Sequence, residues 1–269
     1  MSHSRRTFLN NLVNLAAVTT ITPAALAGRT VAPLTSLASL IPTAKVGAPS
    51  IKALAFDAFP IFDPRPVAAL AETLFGVKGQ ELSNLWRSRQ FEYQWLRALS
   101  GTYQDFWSVT NDALTFAAHT LQVDLTEDYR RQLMDSYLHL KVWPDVLPAL
   151  QSLKQKGLKL AFLSNMTEKM LKANIKVNNL GDLFDEVLST DQVHNYKPSP
   201  KAYQLAVDKL RLHPSEIGFV VFAGWDACGA KTFGYPTYWI NRQSQTAEEL
   251  GATPDWTGRS LADLVSHLA

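Results

Sequence analysis

The chain has 269 residues, with 26 Lys and Arg against 24 Asp and Glu and a single cysteine, Cys228. That length holds one sizeable core plus an inserted module. The near balance of charge leaves no basic footprint for nucleic acid, and a lone cysteine excludes an internal disulfide.

Residues 1–27 (MSHSRRTFLNNLVNLAAVTTITPAALA) carry two of the 26 basic residues and none of the acidic ones, so the remainder is formally neutral. Arg5 and Arg6 sit inside S-R-R-x-F-L, an apolar stretch follows, and Ala25-Leu26-Ala27 offers a small-residue cleavage site. That order reads as a twin-arginine export signal. Asn11, Asn14 and several threonines make the apolar part too polar and too short for a stable span. The expectation is a periplasmic protein, cut before Gly28 and without a stable membrane anchor afterwards. Residues 28–50, rich in Pro, Ser, Thr and Ala, read as a flexible arm.

Residues 51–63 (IKALAFDAFPIFD) open the folded part. Leu54 to Phe56 form an apolar run that reads as a buried strand of a parallel sheet, ending on Asp57 and turn chemistry. Residues 67–139 are helical in pattern. Leu82, Leu85, Trp86, Phe91, Trp95 and Leu99 recur at helical spacing, as do Phe106, Val109, Leu114, Ala117 and Leu121, then Leu133, Tyr137 and Leu140. From Trp143 strands and helices alternate: a helix over 147–156 stopped by Gly157, a strand over 158–163, a short strand at 186–189 and a helix over 201–210. A buried strand over 217–222, a helix over 228–233 and a last strand over 237–240 complete the series. Alternation of this kind predicts an α/β fold with a doubly wound, Rossmann-like parallel sheet. Its core is split into 51–65 and 142–269 around a helical cap at 66–141.

In open α/β sheets ligands bind beyond the carboxyl ends of the strands. Four such ends carry chemistry here: Asp57, Ser164-Asn165, the Tyr196-Lys197-Pro198 turn, and Gly224-Trp225-Asp226. Asp57 is a candidate nucleophile, and Lys197 the cation that offsets charge as a carboxylate reacts. Ser164 and Asn165 supply neutral donors, and Asp226 a second carboxylate to hold Lys197 or orient water. Each alone has a plainer reading: Lys197 as a solvated loop lysine, Ser164 as a helix cap, Asp226 as an N-cap. Their concurrence at successive strand ends favours a catalytic site.

The order D-x-aromatic, LWRSRQFEYQWLRALS (85–100), LSN, YKP and GWDACGAKTFGYPTYWINR (224–242) resembles the haloacid dehalogenase superfamily, and within it the type II L-2-haloacid dehalogenases. The likeness runs from about Ile51 to Leu264. It implies that Asp57 displaces halide from C2 of an (S)-2-haloalkanoic acid with inversion, and that water then hydrolyses the aspartyl ester to an (R)-2-hydroxy acid. Arg87 would receive the halide beside Asn165 and Trp225. Phe59, Phe91 and Phe106 would line the apolar part of the pocket, and Ser164 would hold the substrate carboxylate. Lys197 would pair with Asp57, Tyr203 would support that region, and Asp226 would orient Lys197 or the water. The implied partners are a small 2-haloacid and water, with no cofactor, no metal and a possible homodimer. The phosphatase branch places a second Asp two residues after the nucleophile; Phe59 stands there, and Trp225 and Ala227 flank Asp226 without an acid to complete a magnesium site. Another metal-independent hydrolase of the superfamily, and an exported binding protein without turnover, are the alternatives.

Three departures from the family pattern stand out. D-x-Y-G-T-L-F-D becomes Asp57-Ala58-Phe59-Pro60-Ile61-Phe62-Asp63, one residue shorter and without the Thr. In V-S-S-N-x-W-D the Ser and Asn become Val221 and Ala223, and Met166 replaces the Gly after S-N. These losses of polar partners bear mainly on ester hydrolysis.

Overall fold

The structure, a computed structural model, describes residues 50–269; the expected export signal at 1–27 and residues 28–49 of the expected arm lie outside the described residues. Six strands form one parallel sheet in the order β5-β4-β1-β6-β7-β8. They are β1 (Ala53–Phe56), β4 (Lys159–Ser164), β5 (Glu186–Ser189), β6 (Ile217–Val221), β7 (Thr237–Ile240) and β8 (Trp256–Gly258). Strands β1, β6 and β7 are buried at every position, as a sheet covered on both faces requires. One covering cluster includes Leu54, Phe56, Phe162 and Val220; the other includes Ala55, Leu163, Phe219 and Val221.

β1 lies between β4 and β6, with Ala55 opposite Ala161 on one side and Phe219 on the other. The chain builds outward to β5 first and then returns to build β6, β7 and β8 on the opposite flank. The order therefore reverses at β1, and the crevice at its carboxyl end is the place where such sheets bind ligands.

Between β1 and β4 come β2 (Phe62–Asp63), α1 (Arg65–Phe75), α2 (Gly79–Leu99), α3 (Phe106–Leu121), α4 (Glu127–Ser136), β3 (Lys141–Val142) and α5 (Val146–Gln155). The two-residue strands β2 and β3 pair antiparallel, so the chain leaves for the helices and comes back at one place. Asp105 and Thr126 cap α3 and α4 through their side chains. The Trp86 indole donates to the Thr110 carbonyl at 2.8 Å and fastens α2 to α3.

The inward stripe of α2 differs from the expected one. Its buried residues are Gly79, Leu82, Trp86, Gln90 and Gln94, whereas Leu99 is 86% exposed. Apolar spacing alone overlooked that two glutamines continue the stripe. Besides the short pair β2 and β3, three further elements were not expected. α6 (Glu168–Val177), capped by Thr167, is a polar helix that buries Met170, Leu171, Asn174 and Ile175. Strand β8 and helix α9 (Leu261–His267) close the far edge. The two remaining helices, α7 (Pro200–Leu210) and α8 (Gly224–Phe233), extend the expected ones at their N-termini. No described helix is long and apolar enough to cross a membrane.

At Gly79 α2 packs directly on the backbone of α1: a Cβ there would collide with the Ala71 carbonyl oxygen. Backbone cannot yield as a side-chain tip can, so Gly79→Ala is expected to cost about 2 kcal/mol, seen as a lower urea midpoint with an unchanged slope.

Candidate active site

Asp57 follows β1 directly, and its N–H donates to the Val220 carbonyl at 2.9 Å, extending the ladder to β6 by one bond. The turn beyond it is closed by Ile61 and Phe62 N–H groups on the Ala58 carbonyl. Pro60 supplies no donor, and the turn is braced from outside. Phe59 C=O accepts from the Trp143 indole at 3.0 Å, Ile61 C=O from the Trp143 N–H at 3.1 Å, and Pro60 C=O from Arg242 Nη2 at 3.1 Å. Arg242 is itself paired with Asp145 at 2.9 Å and lies over the Trp143 ring.

Lys197 is buried between two carboxylates. Its Nζ is 2.9 Å from Asp57 Oδ1 and 2.6 Å from Asp226 Oδ2. Asp226 lies in the first turn of α8, where a carboxylate also meets the helix's positive end. The helix N-cap is Ala223, so Asp226 is not the cap. Its other oxygen, Oδ1, accepts from the Tyr203 hydroxyl of α7 at 2.7 Å. Among the described residues the remaining oxygen of Asp57, Oδ2, accepts only the Phe59 N–H, at 3.3 Å, and is the freer of the two.

Burial pushes Asp226 up to about 6, aided by Asp57 and opposed by Lys197 and Tyr203. Burial pulls the Lys197 ammonium down, but Asp226 and Asp57 outweigh it and hold it above its ordinary value. Burial, with Asp226 next, drives the Tyr203 phenol well above its usual range, so it stays a donor.

These groups open onto a nearly closed chamber of about 20 Å³, room for one water. Its walls include Asp57, Lys197 and Asp226 with Ser164 and Asn165 from the end of β4, and Phe59, Phe106 and Trp225. Arg87 and Phe91, one turn apart on α2, complete it. Every residue singled out from the sequence lines this chamber except Tyr203, which stands behind Asp226. Arg87 makes no hydrogen bond or ion pair among the described residues; its guanidinium lies 5.6 Å from the Phe59 ring centre and 5.2 Å from that of Phe91. Burial pulls it below the usual arginine range, with Tyr137 and Asp57 opposing. Ser164 Oγ accepts the Met166 N–H at 3.2 Å and keeps its own proton to donate.

Among the departures from the family pattern, only some face the chamber. Ala223 and Met166 line it, together with Phe222. Val221 points away, into the cluster with Tyr203, Phe219 and Trp239. Sequence reasoning missed the polar contacts from α2: Gln94 accepts from Asn165, and the Trp95 indole donates to the Lys197 carbonyl. The signal was present as two glutamines, one turn apart, in a stripe that should be apolar. Among the described residues no group of three or more His, Cys, Asp or Glu could hold a metal ion.

A family model described as a haloacid dehalogenase-like hydrolase matches residues 19–220. An (S)-2-haloacid dehalogenase from Pseudomonas sp. (strain YL) is 44% identical over 216 residues, 80% of this chain and 93% of that one. Haloacetate dehalogenase H-2 from Moraxella sp. (strain B) is 37% identical, over 81% of this chain and 97% of that one. Among solved structures, the L-2-haloacid dehalogenase of Xanthobacter autotrophicus with chloropropionic acid covalently bound superposes with a TM-score of 0.75 at 34% identity, covering 80% of this chain and 97% of that one. The family model spans most of the chain and the relatives align along nearly their whole length, so this chain belongs to the haloacid dehalogenase-like hydrolase family.

Two outcomes follow from the buried charges. Lys197→Met leaves two carboxylates facing each other without their cation and is expected to cost roughly 3–5 kcal/mol of stability, measured by denaturant unfolding. Any step that needs ionised Asp226 loses it as pH falls through about 6, because the raised value means that protonation comes early; the pH–rate profile should show an acid limb there.

Proposed function

We propose that the protein hydrolyses (S)-2-haloalkanoic acids to (R)-2-hydroxy acids through an ester on Asp57. The observation that carries this reading is the pairing of Asp57 with Lys197 in a chamber that also contains the unpaired cation of Arg87. A relative holding chloropropionic acid covalently at the same fold supports it.

The substrate carboxylate takes the hydroxyl proton of Ser164 as a hydrogen bond. Asp57 Oδ2 attacks C2 from the side opposite the halogen. The C–O bond forms as the C–halogen bond breaks, the halide leaves with the electron pair, and Arg87 with Asn165 and Trp225 receives it. Attack from the opposite side inverts C2. Lys197 stays on Oδ1, which becomes the ester carbonyl oxygen and draws negative charge when water adds at Cγ. Asp226, paired with Lys197 and Tyr203, takes the proton from that water. Collapse breaks the bond from Cγ to the substrate oxygen, which leaves with the electron pair and takes the second water proton. The carboxylate of Asp57 returns, and the proton held by Asp226 passes to solvent as the one net proton of the reaction. Ala223, Met166 and Phe222 offer the water no side-chain hydroxyl or amide, so its placement falls on Asp226 and Lys197, and ester hydrolysis is the slower half.

A haloacid is several times larger than the chamber, so helices 66–141 act in this reading as a cap that lifts to admit substrate and closes to exclude water. The reading extends to export. The Arg5-Arg6 pair and Ala25-Leu26-Ala27 support a twin-arginine signal and a periplasmic enzyme. It also includes a homodimer through the outer face of α2, where Leu96 and Leu99 are exposed; sedimentation velocity tests this.

The deciding experiment measures halide release from (S)- and (R)-2-chloropropionate with EDTA present. Halide from the (S) form alone, abolished by Asp57→Asn and indifferent to EDTA, is the expected result. Release of one equivalent per enzyme and no more would show an ester that forms but does not turn over. No halide at all would overturn the reading.

A further inference from the structure

A directed run of hydrogen bonds crosses from the core to α2. The Lys197 N–H donates to Asn165 Oδ1 at 3.0 Å, and Asn165 Nδ2 donates to Gln94 Oε1 at 2.7 Å. Gln94 Nε2 in turn donates to the Gln90 carbonyl at 3.0 Å. Gln94 is fully buried. Both ends of the run are chemically fixed, since a backbone N–H only donates and a backbone carbonyl only accepts. No amide in it can be turned over without breaking two bonds. Thr190 Oγ1 adds a second donor to Asn165 Oδ1 at 3.2 Å.

The oxygen of Asn165 is thus occupied on the core side, and its carboxamide has N–H groups alone left to offer. One goes to Gln94; the other has no partner among the described residues, on a side chain that lines the chamber. One residue further along α2, the Trp95 indole donates to the Lys197 carbonyl at 3.2 Å. The strand-end loop that carries the catalytic lysine is therefore held by α2 at two adjacent residues, once directly and once through Asn165.

We propose that Gln94 is a positioning residue, a latch by which the seated cap helix fixes the Asn165 carboxamide so that its free N–H faces the leaving halide. The inference rests on the dehalogenase reading. Lifting α2 removes the acceptor from Asn165, so the halide site is complete only when the cap is down. Gln94 itself touches neither substrate nor nucleophile.

Bromide serves as the probe, followed by tryptophan fluorescence, beside steady-state kinetics on (S)-2-chloropropionate. Gln94→Met keeps the volume and loses the acceptor. It is expected to keep its melting temperature within a few degrees, to weaken bromide binding about tenfold and to lower kcat while KM holds. Gln94→Glu gives a test that survives poor folding of the first variant. Its protonated carboxyl reproduces both bonds, whereas its carboxylate cannot donate to the Gln90 carbonyl and sets a negative charge beside Asn165. Because Asp57, Lys197, Asp226 and Arg87 are present in both proteins, the difference between the two pH profiles reports residue 94. Bromide affinity matching wild type in acid and falling away from it as pH rises is expected. A folded Gln94→Met with unchanged bromide affinity, or a Gln94→Glu profile parallel to wild type, would overturn the latch alone. A wild-type protein that neither binds bromide nor releases halide would overturn the dehalogenase reading and the latch with it.

Discussion

A single buried ammonium holds two carboxylates in place, and most of the structure can be understood from what that arrangement requires. Lys197 between Asp57 and Asp226 is a trio with one negative charge too many. Removing three ionised groups from water is expensive unless each is paired and hydrogen-bonded. Tyr203 answers for the outer oxygen of Asp226 and the Phe59 N–H for that of Asp57. The missing positive charge is Arg87, and it arrives on a different element, α2. With it the four charges balance, and the charge that readies the chamber for an anion also offsets the surplus of the trio.

α2 serves two neighbours at once, which explains what its sequence disclosed and what it concealed. One line of residues, Leu82, Trp86, Gln90 and Gln94, is buried; the adjacent line, Arg87, Phe91 and Trp95, meets the chamber and the core loops, with Phe91 and Trp95 both against Trp225. A hydrophobicity pattern merges the two lines into one broad stripe. It found the aromatic members and overextended to Leu99. The glutamines escaped because a polar side chain on a helix normally reads as solvent-facing, and only the partner amides, remote in sequence, show otherwise.

The core was more legible. Parallel strands announce themselves as unbroken apolar runs, and the rule that chemistry gathers at their carboxyl ends led to Asp57, Ser164, Asn165, Lys197 and Asp226 without any side-chain geometry. What that rule does not resolve is which of two neighbouring residues faces the crevice. Val221 and Ala223 looked equivalent as losses of polar side chains. The pleat turns Val221 into the core below the sheet and leaves Ala223 at the chamber wall. α6 and α9 do carry apolar residues at helical spacing, Met170, Leu171 and Ile175 in one and Leu261, Leu264 and Val265 in the other, but each pattern spans only two or three turns and was passed over, as was the three-residue edge strand β8.

The turn that follows Asp57 is closed by its own bonds to the Ala58 carbonyl and braced from outside as well. Its carbonyls at Phe59, Pro60 and Ile61 are claimed by Trp143 and Arg242, which belong to other parts of the chain. Responsibility for the shape of the turn is thus shared with residues far from it in sequence. Substitutions inside it, such as the proline this chain carries, are tolerable as long as the external donors remain. Arg242 has the reverse status: it contacts no group in the chamber, yet a change there would register in an activity screen as a defect of the active site.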